Sequence, residues 1–329
     1  MPDYDKEGLV SAWTFDGNGG ARRIGWQEIG QGVPSGERFQ WINLQQMEHR
    51  HGRNTWLDDH SGIDPSILES LVAAETRPRC ALFDNGAFLN LRGINLMPYS
   101  LPDEMHSIRF WVEPHRIVSV RRKALSAVGD FEDAIQRGRA PRTPGEFVAD
   151  LSMRLVDRMD TVITALAEQA DELEEQVLSA TLSNLSPKVS EVRRVAIILR
   201  RYIAPQREAL NHFSLEDAEW LSPRDRNRLR EAADRVTRFA EELDSVRDRA
   251  AVIYDQMVER RAEQMNRSML VLAAVTVIFA PLTLITGLMG MNVEGIPGSQ
   301  DPNGFWAVTI LAAGLGVGLV AWLRMIRWL

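Results

Sequence analysis

The chain has 329 residues, 25% of them charged and 45% hydrophobic, averages ordinary for a soluble globular protein of roughly two or three domains. Its net charge of −7 argues against wholesale nucleic-acid binding, which normally needs a basic surplus. One cysteine, Cys80, excludes an intramolecular disulfide framework, an iron–sulfur cluster and a multi-thiolate zinc site.

In chain order, residues 1–140 carry strand signals. Residues 9–15 precede the turn Asp16-Gly17-Asn18-Gly19-Gly20, and 39–44 form the next candidate. Residues 81–83 and 88–91 flank Asp84-Asn85-Gly86, followed by 108–112 and 117–120. Helical stretches at 65–75 and 124–137 fall between them, so an α/β or α+β domain is expected here. The Asp16–Gly20 segment is Gly-rich but lacks the Lys and Ser/Thr of a phosphate loop, and reads as a turn. His49 and His51, with Asp58, Asp59 and His60 close in sequence, read as polar surface, with a cytoplasmic zinc-sensing site as the sharper alternative.

Pro141-Arg142-Thr143-Pro144-Gly145 punctuates the chain, and no strand signal follows it. Residues 146–264 read as long helices. The first runs to about residue 182 and stops at Asn184-Leu185-Ser186-Pro187; the second runs to about His212, with Pro205 expected to kink it. An acidic run on the first, Glu168, Asp171, Glu172, Glu174 and Glu175, reads as a solvated face, with cation sensing as the alternative. Ser222 is the expected N-cap of the third, with Pro223 at its first position. Its apolar stripe, Leu229, Ala232, Val236, Phe239, Leu243, Val246, Ala250, Ile253 and Met257, alternates steps of three and four, a bundle seam. No breaker follows, so one helix is expected from Pro223 to about Met291, roughly 100 Å long at about 1.5 Å per residue.

The last part, residues 265–329, departs from the average composition. Its spans, about 269–291 and 304–323, contain no charged residue, and each is long enough for a hydrocarbon core of about 30 Å. The four charges of residues 269–329 cancel, so the whole net charge lies in the first 268 residues. Arg260, Arg261 and Arg267 precede the first span and Arg324 and Arg327 follow the second, while the connecting loop has only Glu294 and Asp301. The positive-inside rule then places both termini in the cytoplasm. Residues 1–5 show no apolar signal region, which accords with a large domain that stays inside.

A span facing only lipid needs no polar group, yet this one has Thr276, Thr283 and Thr286. Asn266, Met269, Leu272, Thr276, Ala280, Thr283 and Gly287 follow one another at helical spacing, and Gly290, Met291 and Asn292 end the span. Small and weakly polar groups in one stripe suit a water-filled pore built from several copies of the helix. The same composition also suits close helix packing, with the hydroxyls bonded back to their own backbone.

The Gly290-Met291-Asn292 end, the short acidic loop and a final span with a basic tail resemble the CorA-type divalent metal ion transporter superfamily over the whole chain. Ala280 stands where members often have Met. Glu75-Thr76-Arg77-Pro78-Arg79, the segment from Arg200 to Arg207, and Gly295-Ile296-Pro297-Gly298 resemble its ZntB zinc-transporter branch. The resemblance implies a funnel-shaped homopentamer in a bacterial inner membrane, with an α+β cytoplasmic domain, long helices and a two-span hairpin. It implies a pore lined by Asn266, Met269, Leu272, Thr276, Thr283, Gly290, Met291 and Asn292, with Glu294 at the outer mouth. It also implies Zn²⁺ as transported substrate, proton-coupled uptake, no cofactor and no enzymatic activity.

The residues support zinc only in part. A tight zinc site wants His, Cys or carboxylate, and the stripe offers amide, hydroxyl and thioether. A partly hydrated cation with modest selectivity fits better, so Co²⁺, Ni²⁺ and Cd²⁺ are candidate cargo too. Neither span holds an ionisable residue, so proton coupling must act at Glu294, in the cytoplasmic part or along the water path. A Mg²⁺/Co²⁺ channel, zinc efflux through the same pore, and a membrane-anchored metal sensor remain the alternatives.

Overall fold

The computed structural model describes residues 5, 7–46, 55–74, 77–94, 104–178, 185–291, 296 and 301–326, with backbone only for Thr55 and Leu178. His49, His51, Glu75, Thr76, Asn184, Asn292, Glu294, Gly295, Pro297 and Gly298 lie outside them, as does Arg327. The chain divides into two compact units, Met1–Ile253 and Tyr254–Leu329.

Seven strands build the sheet of the first unit: β1 (Leu9–Phe15), β2 (Ala21–Arg23), β3 (Phe39–Gln45), β4 (Arg79–Phe83), β5 (Gly86–Ile94), β6 (Met105–Val112) and β7 (Arg116–Arg121). Their order is β2-β1-β3-β7-β6-β5-β4; β3 and β7 run parallel and every other pair is antiparallel. The Asp16 turn forms as expected: its carboxylate accepts the N–H groups of Asn18 (2.7 Å) and Gly20 (2.9 Å), bonds that hold the carboxyl below its ordinary range. Phe83 pairs with Gly86, which makes the expected hairpin around Asp84 and Asn85.

Side chains alternate across the pleat, so the sheet buries both faces. On one, Ile42, Leu44, Phe88, Trp111, Val118 and Val120 pack with α2 (Thr55–Asp59) and α3 (Pro65–Val72). On the other, Phe147 makes edge contacts with Trp41 (4.9 Å) and with Phe131 (4.8 Å) of α4 (Ser126–Gln136). The short α1 (Trp26–Ile29), α2 and β2 were not foreseen.

Phe147 belongs to α5 (Pro144–Leu178), which starts two residues earlier than expected. Thr143 Oγ1 accepts the Glu146 N–H (3.1 Å) while the Glu146 carboxylate accepts the Arg142 N–H (2.7 Å), a reciprocal cap that draws Pro144 and Gly145 into the first turn. A Cβ on Gly145 would stand 2.6 Å from the Trp220 carbonyl, so only glycine allows this approach. Leu185, Ser186 and Pro187, expected to end a helix, instead open α6 (Leu185–Ser214), where proline is tolerated because first-turn N–H groups lack partners anyway. Pro205 lies within α6, which continues through it.

The third helix, α7 (Pro223–Met289), begins as expected. Ser222 Oγ accepts the Asp225 N–H (3.2 Å), and the buried Asp225 carboxylate accepts the Ser222 N–H (3.1 Å). Arg228, Arg235 and Arg249 of α7 pair with Asp150, Asp157 and Asp171 of α5 at a constant offset of 78 residues. A constant offset means that the two helices run parallel in register, and the steps of seven and fourteen residues between rungs keep the ladder on one seam. Glu168, Glu172, Glu174 and Glu175 are exposed, and Asp171, also exposed, serves as a rung.

In the second unit α7 continues and α8 (Gly304–Met325) packs along it. Ala274 and Leu323 are buried. Gly316 lets Leu282 close in, since a Cβ there would lie 3.6 Å from Leu282 Cδ1. Both helices are long and apolar enough to cross a membrane, with mean hydropathies of 2.4 and 2.0 over their richest stretches. Phe279, Leu284, Phe305, Ile310 and Val317 are each more than 60% exposed, an apolar surface that suits lipid or a partner chain and not water.

Candidate functional site

The helical part of the second unit has two distinct flanks. Thr276, Ala280, Thr283, Gly287 and Met291 share an open groove of α7 with Val275, Phe279, Leu284 and Leu288. Asn266, Met269 and Leu272 are exposed on the preceding turns. Thr286 and Gly290 instead face a second groove, lined by Leu282 and Met289 and, from α8, by Phe305, Val308, Thr309, Ala312 and Ala313. Thr283 and Thr286, three residues apart, therefore meet different surroundings.

Each hydroxyl of the span donates back to its own helix: Thr276 to the Leu272 carbonyl (2.9 Å), Thr283 to Phe279 (2.8 Å) and Thr286 to Leu282 (3.0 Å). Back-bonding engages the hydrogen and leaves the oxygen's lone pairs available as acceptors. Along the open flank, Thr276 and Thr283 thus offer oxygens suited to a cation's water shell. Pro281 has no N–H to give the Val277 carbonyl, which adds an unpaired dipole about three turns before the helix end.

The helix continues through Gly287 and ends at Met289, close to the expected end at about Met291, and neither Gly287 nor Gly290 adopts a positive φ. Gly290 N–H donates to the Thr286 carbonyl (2.9 Å), and among the described residues the carbonyls of Gly287, Leu288 and Met289 have no helical donor. These carbonyls lie at the negative end of the helix dipole and face the end from which Met291 continues. Among the described residues, no group of three or more His, Cys, Asp or Glu side chains gathers as a metal centre.

The three segments singled out for their family resemblance sort by role. Arg77 and Arg79 form no ion pair among the described residues, which do not include Glu75. The Arg77 carbonyl accepts from Asn90 Nδ2 (2.8 Å), and Arg79 donates to Ser70 Oγ (2.8 Å) and lies over the Phe88 ring (5.1 Å). The second segment docks α6 on the sheet. Strand β4 pairs with β5 only as far as Asn90, and beyond that point buried Gln206 accepts the Arg92 N–H (2.7 Å), replacing a lost ladder bond. Of the third segment only Ile296 is described.

A sheet-and-helix unit whose last helix runs on into a two-helix apolar hairpin, with weakly polar oxygens along one exposed flank, defines a membrane protein of the ion-transporting class. The family profile described as "CorA-like Mg2+ transporter protein" matches residues 36–327. The chain is 34% identical to the "Divalent cation transporter CmaX" of Pseudomonas aeruginosa, over 99% of this chain and 98% of that one. It is 30% identical to a "Zinc transport protein ZntB" of Pectobacterium carotovorum, over 99% and 98%. The solved structure of full-length CmaX superposes with a TM-score of 0.84 at 33% identity, covering 99% of this chain and all of that one. The chain belongs to the CorA-like family of divalent cation transporters. It is therefore not an enzyme, and the metal is its substrate and not a resident cofactor.

Proposed function

We propose that five copies of the chain assemble around a central path in a bacterial inner membrane and move Zn²⁺ into the cell with coupling to protons. In this reading residues 1–140 and 146–264 form the cytoplasmic part, residues 265–329 form the membrane part, and both termini lie in the cytoplasm. The open flank of α7 lines the path: Asn266, Met269, Leu272, Thr276 and Thr283, then Met291 and Asn292 at its end, with Glu294 at the outer mouth; Gly290, expected among them, faces the second groove instead. What carries the proposal is that flank, which keeps Thr276 and Thr283 oxygens exposed on a membrane-length helix. An exposed stripe of this kind finds its partners in copies of itself.

The 30% identity to a zinc transport protein over almost the whole chain favours zinc as cargo. The chemistry of the flank favours a cation that keeps much of its water, because hydroxyl, thioether and carbonyl groups replace a divalent ion's shell poorly. That leaves a specific second reading, a Mg²⁺/Co²⁺ path of the CorA type. Purified protein in liposomes, loaded with a pH gradient in each direction, distinguishes them by ⁶⁵Zn²⁺ uptake competed with Mg²⁺, Co²⁺, Ni²⁺ and Cd²⁺. Zinc uptake that follows the inward proton gradient and resists millimolar Mg²⁺ supports the proposal. Uptake indifferent to pH and abolished by Mg²⁺ supports the second reading, and no flux of any divalent ion defeats both.

A further inference from the structure

The first unit holds a pocket of about 460 Å³ that the transport reading does not use. Its wall gathers cations from three places far apart in sequence: Arg92 of β5, Arg122 and Lys123 just after β7, and Arg201 of α6. Among the described lining residues the carboxylate is Glu104, which accepts from Lys123. Arg122 donates to the Ala74 carbonyl (2.8 Å) and Arg201 to the Tyr202 hydroxyl (2.8 Å); neither has a carboxylate partner among the described residues. The guanidinium groups of Arg92 and Arg201 both lie over the Tyr202 ring, at 3.9 and 4.8 Å from its centre. The ring thus helps hold two like charges side by side, and Arg92 also donates to the Met105 carbonyl (2.9 Å).

The cationic field reaches inward. Arg109, 1% exposed, is pulled down to about 10 by burial and by the charges of Arg122 and Arg92. The half-buried His106 imidazole is likewise held below its ordinary range, chiefly by burial. A protein of net charge −7 has no shortage of carboxylates, so four cations around one carboxylate among the described lining residues make a concentration of positive charge that its composition does not supply by default. Arginine forks match the oxygens of a phosphate group geometrically, and opposed forks grip one that carries several charges. With the Tyr202 ring already engaged by guanidinium groups, an aromatic base finds no platform there.

We propose that this pocket binds a small soluble phosphoanion bearing two or more negative charges, of the diphosphate class, gripped chiefly by Arg122 and Arg201. A soluble source is argued by its place, in the unit that carries the sheet. The test titrates inorganic pyrophosphate into the full-length protein in nanodiscs of zwitterionic lipid, by calorimetry at fixed ionic strength. Expected is saturable binding tighter than that of sulfate, weakened tenfold or more by Arg122→Gln and by Arg201→Gln. Lys188→Gln, which removes an exposed cation elsewhere on α6, leaves it within twofold. Arg201→Lys, which keeps the charge and loses the fork, falls between native protein and Arg201→Gln. A second arm uses nanodiscs containing phosphatidic acid: pyrophosphate binding that persists there supports the soluble anion, and protection of the variants' site by the lipid alone overturns it. No saturable pyrophosphate binding, or equal affinity in all three Gln variants, also overturns the proposal. Zinc flux is not its readout, so it stands or falls apart from the transport reading.

Discussion

Thr283→Val removes one oxygen from the open flank of α7 while preserving side-chain shape. The hydroxyl hydrogen is already engaged with the Phe279 carbonyl at 2.8 Å, so the exposed group the change deletes is an acceptor. Losing the back-bond does not harm the helix, because such bonds slightly destabilise helices. A hydrated cation touching two of the symmetry-related oxygens through its water shell loses about 0.5–1.5 kcal/mol for each. The sum, about 1–3 kcal/mol, corresponds to a fall in flux of roughly 5- to 150-fold. Thr286→Val is the internal control. It makes the same chemical change three residues on, but in the groove shared with Phe305, Val308 and Thr309 of α8. Its flux should stay within about twofold of native. The assay is initial ⁶⁵Zn²⁺ uptake into liposomes at matched protein density, with size-exclusion profiles to verify assembly. Native flux in Thr283→Val, or a greater loss in Thr286→Val, refutes the assignment of the two flanks.

Three further outcomes are expected. Gln206→Met keeps volume but leaves the Arg92 N–H without its 2.7 Å acceptor, so the first unit should lose about 1–3 kcal/mol in denaturant unfolding of the full chain; unchanged stability would show that the strand edge is satisfied otherwise. A double-mutant cycle on Arg228→Ala and Asp150→Ala, whose side chains are 29% and 23% exposed, should return a coupling of about 0.5–1 kcal/mol, and one near zero would reduce the ladder to register alone. Cys80, pushed up to about 12 by burial and then by the charge of Glu216, stays a thiol at pH 8, so iodoacetamide should label native protein far more slowly than unfolded protein. The native state holds this proton above the unfolded thiol's pKa of about 8.5. Stability should therefore fall as pH rises from about 8.5 towards 12, and Cys80→Ser should flatten that fall.

What the sequence disclosed follows the range of the physics involved. Strands β3 to β7 were legible because alternation and an Asp-Asn-Gly turn are local signals. The edge strand β2, three residues long and polar on its exposed side, owes its form to pairing with β1, which no local pattern announces. Ser222-Pro223 was legible as a cap, whereas Leu185-Ser186-Pro187 was ambiguous, since proline ends a helix or opens one according to what precedes it. The stripe of α7 could be read from spacing, and the structure gathers Thr276, Ala280, Thr283 and Gly287 into one groove. The neighbours of Thr286 and Gly290 could not be read, because they depend on where α8 packs. The α5–α7 ladder and the basic pocket were invisible for the same reason: each joins residues whose proximity is a product of tertiary structure.

The chemistry of the open flank constrains how any selectivity arises. From Ser268 to Met291 the chain has no ionisable side chain, so a divalent ion meets no charge able to compensate loss of its water. The strongest electrostatic feature there is the end of α7, where the carbonyls of Gly287, Leu288 and Met289 have no helical donor among the described residues and the helix dipole is negative. Partial charges of this size attract a cation without binding it tightly, a condition that conduction requires. They attract all divalent ions of similar hydrated size almost equally. Discrimination between Zn²⁺ and Mg²⁺ must then come from a group that coordinates directly, and the nearest side chain in sequence with a strong oxygen ligand is Asn292, with Glu294 beyond it. Replacing Asn292 by Ala should therefore change the ratio of Zn²⁺ to Mg²⁺ uptake, whereas Thr283→Val should lower both together. If Thr283→Val alone shifts that ratio, selectivity resides within the span and the hydrated-ion account fails.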